Sequence, residues 1–409
     1  MSIETHRLPD RYHSAIMAWQ RRHFPDFPYL EKHWNSFYTQ APFELDAKFG
    51  PLESGWIECG RNVGAPKWFR SLDMEEGLHT QVRKIIRAQA STELGSIQQH
   101  QDSLPKAQDP KMQFDVLRIM AEEFRHGYQM IYLLASDDWG SGDFAMDAIE
   151  ELLEMDTGSH VLDAFNVYFD SFVDNIVFAA VIDRVGKYQL TMQKVFAYAP
   201  MARSMSPMLR EEAFHLASGV NPLKMWVADA TQDRGNVSLE NIQQHLNKWI
   251  PRGLEMFGDE RGGNSNVELG LKSMANDESS GKYHAEVGRE VIDVLNRSLV
   301  KARAPKLSSA EIRKCVEEIE TGETRHGLRR EDLFYLPSRR FFRRRGINAF
   351  TMVGVDDTDF TEKEDYLYYL RKILPPAYVT GRDFSTYEKN LAATLEGSDV
   401  HEKDLPFFG

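Results

Sequence analysis

Two four-residue strings in this chain share one pattern: Glu123-Phe124-Arg125-His126 and Glu212-Ala213-Phe214-His215. On a helix, residues three apart are surface neighbours, so each string sets a carboxylate and an imidazole side by side on one face. An acidic residue precedes each string by nearly the same interval: Glu93 lies 30 positions before Glu123, and Asp183 lies 29 before Glu212. Four carboxylates and two imidazoles delivered by four helices make a donor set for two metal ions inside a helical bundle. One Glu-x-x-His string is commonplace on a solvated helix face. Two strings with matched upstream acids are not.

The surroundings point the same way. Glu93 sits among Ile85, Ile86, Leu94 and Ile97, and Asp183 follows the apolar run Ile176 to Ile182. Ionised carboxylates in such places are prohibitive unless a cation answers them. Glu93, Glu123, Asp183 and Glu212 bring four negative charges, which two Fe(II) ions would balance. Mixed carboxylate and imidazole donors suit iron or manganese, and no thiolate stands near them to favour structural zinc. A metal-bound imidazole needs an acceptor for its other N–H. Glu122 and Glu211, each one residue ahead of a ligand, would serve the histidine of the opposite half: Glu122 for His215 and Glu211 for His126. Arg125 would neutralise one of these two acids. A third string, Glu323-Thr324-Arg325-His326, has Asp293 thirty positions before it. It lies among Gly322, Gly327, Arg329 and Arg330 and has no mate, so it is expected at an exposed helix end rather than in a core.

The elements that must position these residues follow from apolar spacing. Three- and four-residue steps predict helices over 74–101, 111–135, 145–156, 161–198, 211–219 and 239–257, then 285–301, 309–320 and 362–373. Pro105, Pro110, Pro200, Pro207 and Asn221-Pro222 read as breaks. Residues 1–70 form an irregular, partly helical N-terminal wrap, 71–258 the helical core, and 259–409 a C-terminal helical extension with a basic segment. The Gly-, Asn- and Ser-rich stretch 258–281 is the loop between the last two. The fold class is all-α, a four-helix bundle with additional N- and C-terminal helical extensions.

Composition narrows the function. The 409 residues carry a net charge of −13, against a nucleic-acid partner, and are 42% hydrophobic, enough for a large core. Cys59 and Cys315 stand far apart and imply neither a disulfide framework nor a thiolate metal site. No apolar run approaches the ~18 residues needed to span a bilayer. The N-terminus lacks the apolar stretch of a secretory signal. The protein is expected in the cytoplasm, with no membrane partner.

The strings Glu122-Glu123-Phe124-Arg125-His126 with Tyr132-Leu133-Leu134, Glu211-Glu212-Ala213-Phe214-His215-Leu216, and Leu336-Pro337-Ser338-Arg339-Arg340-Phe341-Phe342-Arg343 resemble those of ferritin-like di-iron oxygenases that act on aromatic acyl-CoA thioesters. Within that group the chain is most similar to the benzoyl-CoA 2,3-epoxidase type, over roughly residues 75 to 345. The resemblance implies a ferritin-like bundle and two iron ions with O2 as co-substrate. It gives ligand roles to Glu93, Glu123, His126, Asp183, Glu212 and His215. It also implies an aromatic acyl-CoA substrate and a separate NAD(P)H-dependent reductase; no Gly-rich dinucleotide fingerprint occurs in the chain itself. A homodimer is left open. Gln89, one turn before Glu93, would hold a thioester carbonyl or tune a ligand. Phe165, Phe169, Phe172 and Phe178 would line a ring pocket or simply fill the core. Arg339, Arg340 and Arg343, with Arg344 and Arg345, would grip coenzyme A phosphates. The other readings are a di-iron N-oxygenase or hydroxylase of a non-CoA substrate, and an iron-oxidising or storage protein. Mass analysis of thioester products separates them from the first.

Overall fold

The computed structural model describes residues 3–41, 43–140, 144–258, 265–342 and 352–395. The described residues are mostly helical. The fold class is all-α, in keeping with a ferritin-like bundle. In chain order the elements are β1 (Glu4–His6), α1 (Asp10–His23), α2 (Phe27–Phe37), β2 (Ala47–Phe49), α3 (Glu76–Ser103), α4 (Pro110–Ala135), α5 (Phe144–Glu154), α6 (Phe172–Gln193), α7 (Ala199–Ala230) and α8 (Leu239–Glu255). Then come the one-turn α9 (Ser265–Glu268) and α10 (Asn276–Val287), which runs through a π turn at Gly288–Ile292 into α11 (Asp293–Arg303). The chain continues with α12 (Ser309–Glu320), β3 (Met352–Val353), β4 (Asp359–Phe360), α13 (Lys363–Ile373), α14 (Pro376–Val379) and α15 (Arg382–Leu395). Among the described residues no helix is long and apolar enough to cross a membrane.

These elements belong to two compact units, one made of Met1–Phe172, Gly186–His215 and Glu260–Asn276, the other of Val173–Val185, Leu216–Asp259 and Asp277–Gly409. In the first unit α3 and α4 carry the apolar spacing read from the sequence. Asp109 caps α4, accepting the N–H groups of Lys111 and Met112, and Pro110 takes the first helical position, where its missing N–H costs nothing. Val116, Ile119, Met120, Phe124, Ile131 and Leu134 are all buried. The two helices approach closely at Gly127, where a Cβ would stand 3.3 Å from Leu94 and 3.5 Å from the Cβ of Glu93. Residues 1–70 are more regular than expected. They hold α1, α2 and an antiparallel ribbon in which Thr5 pairs with Lys48 of β2.

Three expectations about helix limits need correction. The predicted helix 161–198 begins only at Phe172, because side-chain amides tie down the preceding loop. Asn166 accepts the backbone N–H groups of Gly158 and His160, and Gln99 donates to the carbonyls of Ala164 and Val167. The predicted breaks at Pro200, Pro207 and Pro222 fall inside α7. Pro200 sits in the first turn, where no intrahelical partner exists for its nitrogen. Pro207 and Pro222 are buried with Met205, Met208 and Leu223, and packing carries the helix across the missing hydrogen bonds. Among the described residues of the stretch 258–281, read as a loop, Ser265–Glu268 forms α9 and the chain is helical again from Asn276 onward.

In the second unit α8 is fixed by Asp174 of α6, which accepts from Lys248 Nζ at 2.8 Å and from the Trp249 indole at 2.9 Å, all three fully buried. α12 begins with a reciprocal cap between Ser308 and Glu311.

Candidate metal centre

α3 supplies Glu93, α4 supplies Glu123 and His126, and α7 supplies Glu212 and His215. All five lie in the first unit. Glu93, Glu123 and His126 form one group and Glu123, Glu212 and His215 a second, in each case with donor atoms within 4.8 Å of one another. Glu123 belongs to both. Its Oε2 lies 3.9 Å from His126 Nδ1 and its Oε1 3.1 Å from His215 Nδ1. His126 Nδ1 makes no hydrogen bond and faces Glu93 at 3.8 Å and Glu212 at 4.0 Å. Glu123 and Glu212 are 5% exposed, and neither histidine is exposed at all.

The histidines are turned by the crossed contacts expected from the sequence. His126 Nε2 lies 2.8 Å from Glu211, and His215 Nε2 lies 3.0 Å from Glu122. Each imidazole therefore donates through Nε2 and presents Nδ1 to the carboxylates. Arg125, wholly buried, donates its Nε to both oxygens of Glu211 at 2.9 and 2.8 Å. Arg118 donates to Glu122 at 2.9 Å and lies 3.7 Å over the Phe214 ring. Lys48 Nζ stands 3.6 Å from Glu211.

The titration tendencies follow from burial and from the crowding of carboxylates. Burial and the adjacent Glu123 carboxylate push the Glu93 carboxyl well above the ordinary range. Burial opposes protonation of His126, yet Glu211 and Glu93 outweigh it and raise its pKa; His215 is raised further by Glu122, Glu123 and Glu212. Both tendencies come from carboxylates crowded together in a buried place, where each favours a proton on its neighbour. Two donors each about 2.1 Å from one ion stand at most about 4.2 Å apart. The Nδ1–carboxylate separations of 3.1 to 4.0 Å fit that limit. The donor set therefore fits divalent metal of the iron or manganese type.

No family model matches the chain. Over 394 residues it is 26% identical to benzoyl-CoA oxygenase component B of Aromatoleum evansii, with 87% of this chain and 79% of that protein covered. This chain is a distant relative of that oxygenase component.

The other residues singled out from the sequence are placed as follows. Asp183 is buried in α6, within the second unit. Gln89 Nε2 makes a long 3.5 Å contact to Glu93 Oε1, which suits tuning of a ligand. Phe169 packs edge-on to His100, Phe178 edge-on to Trp249, and Phe165 against Gly95, and all three are buried. Arg339 donates to Ser280 at 2.9 Å, while its Nε has no hydrogen-bond partner. Arg340 is answered by Asp359 at 3.1 Å and Asp357 at 3.7 Å. Arg343, with Arg344 and Arg345, lies outside the described residues. The third string is on no helix. α12 ends at Glu320, and Glu323 and His326 are exposed in a turn where His326 adopts a φ of 50°.

Sequence reasoning missed Arg118 and Lys48. The first carries a signal, since Arg118 and Glu122 stand four apart on one helix. The second carries none, because its approach to Glu211 depends on the ribbon.

Gly186 of α6 is a further element of the site. A Cβ there would stand 3.3 Å from Glu212 Oε1. Gly186→Ala is expected to add up to about 1 kcal/mol of helix stability while displacing the Glu212 carboxylate. Thermal unfolding should rise slightly and metal affinity fall roughly tenfold. Unchanged affinity in a metal titration would show that Glu212 does not need the space.

Proposed function

We propose that this chain is a non-haem di-iron monooxygenase. It would insert one atom of O2 into an aromatic acyl-CoA thioester, epoxidising a benzoyl-like ring, with electrons from a separate NAD(P)H-dependent reductase. The observation that carries this reading is the pair of carboxylate–imidazole groups joined through Glu123, each histidine oriented by an acid from the other half. The relative's name supports the substrate class and the use of a second component.

Glu93, Glu123, His126, Glu212 and His215 would hold the irons, with Asp183 as sixth ligand on the strength of its matched interval. Bound iron would supply the electrons and Lewis acidity that activate O2. The chain's own residues do the rest. Glu122 and Glu211 hold both imidazoles in the tautomer that offers Nδ1. Gln89 steadies the Glu93 carboxylate. The apolar walls of α3 and α4 keep bulk water from the reacting centre. Arg339, whose charge is less fully answered than that of Arg340, is the better candidate for a phosphate of the thioester.

The test is anaerobic loading with ferrous iron, followed by O2 and a panel of aryl-CoA thioesters with mass analysis. One added oxygen atom on a single ester, absent in the iron-free protein, is the expected result. Ferrous ion consumed with no thioester product would mark an iron-oxidising protein instead.

A further inference from the structure

The two halves of the centre differ in how their outer acids are compensated. Glu122, behind His215, is answered by Arg118 at 2.9 Å. Glu211, behind His126, is answered by Arg125 and in addition by Lys48, whose Nζ is 3.6 Å away. At that distance Lys48 is not a hydrogen-bond donor and acts through its charge alone. Its backbone N–H donates to Gln129 Oε1 at 2.6 Å, and Gln129 donates in turn to Ser204 Oγ at 2.9 Å. The main chain at Lys48 is thus held independently of its side chain.

We propose that Lys48, supplied by the N-terminal ribbon, weakens metal binding at the His126 end and so makes the two positions inequivalent. The inference rests on the di-metal reading above. A carboxylate shared with an extra cation pulls less on the imidazole N–H it accepts, and the imidazole is then a poorer donor through its other nitrogen. The ammonium also repels a metal cation directly, and at a partly buried site salt screens this only in part. Both effects have the same sign. A merely structural role for Lys48 has the opposite sign, because removing a support loosens a site.

The test is a calorimetric titration of the metal-free, full-length protein with Mn2+, comparing wild type, Lys48→Met and Lys48→Arg. Two binding steps are expected in the wild type. In Lys48→Met the weaker step should tighten about three- to tenfold and the stronger step should stay where it is. Lys48→Arg should restore the wild-type pattern. Both steps unchanged, both weakened, or both tightened alike in Lys48→Met would overturn the proposal while leaving the di-metal reading intact. Fewer than two ions bound by the wild type would end both.

Discussion

An alanine at position 123 is expected to empty both metal positions at once. Glu123 is the one donor common to the two groups, with one oxygen toward each histidine. Its loss should take bound iron from two ions per chain to below one and lower oxygenation of a thioester by at least about a thousandfold. The same variant should behave differently without metal. Glu93, Glu123 and Glu212 crowd buried space, and Glu123 already pushes the Glu93 carboxyl upward. Deleting one of these like charges should leave the metal-free protein as stable as the parent or more so. Metal would then stabilise the variant far less than it stabilises the parent, because ligand binding raises stability only through the folded site. Thermal unfolding with and without Mn2+ reads both signs together. A metal-free variant that is markedly less stable would mean that Glu123 serves packing rather than a cation.

Asp174→Ala is expected to cost about 3 to 5 kcal/mol, the usual consequence of removing one partner from a buried ion pair. Burial by itself would raise the pKa of Asp174, but Lys248 and then His245 outweigh it and hold the carboxyl well below the usual range. A depressed folded-state pKa contributes stability that is present above the unfolded value, about 3.9, and is lost as pH falls below it toward the folded one. The parent should therefore lose stability steeply below about pH 4, and Asp174→Ala should lack that part of the acid limb. Calorimetric unfolding between pH 3 and 7 checks both the size and the slope. A variant that parallels the parent through this range would show that Asp174 does not govern the second unit's acid sensitivity.

The parts of this structure legible in the sequence are those set by local rules. Helices α3, α4 and α12 lie within about two residues of their expected limits, because apolar spacing and capping residues act over a few positions. The crossed contacts of Glu122 with His215 and Glu211 with His126 could be read because bundle geometry leaves a metal-bound imidazole few acceptors. Local rules failed where tertiary packing overrode them. Pro207 and Pro222 look like helix ends, yet burial of their neighbours carries α7 past both. Lys48 could not be found in advance at all. It lies 163 positions from Glu211, and long-range contacts set its place: the pairing of β1 with β2 and the Gln129 amide that takes its backbone N–H.

Everything chemical here depends on whether buried carboxylates and imidazoles hold paired iron. Mössbauer spectroscopy of the full chain, loaded anaerobically with ⁵⁷Fe(II) and then exposed to O2, asks this directly. Two irons per chain that become a diamagnetic, exchange-coupled ferric pair are the expected result. A single iron, or ferric ions that remain magnetically isolated, would contradict it.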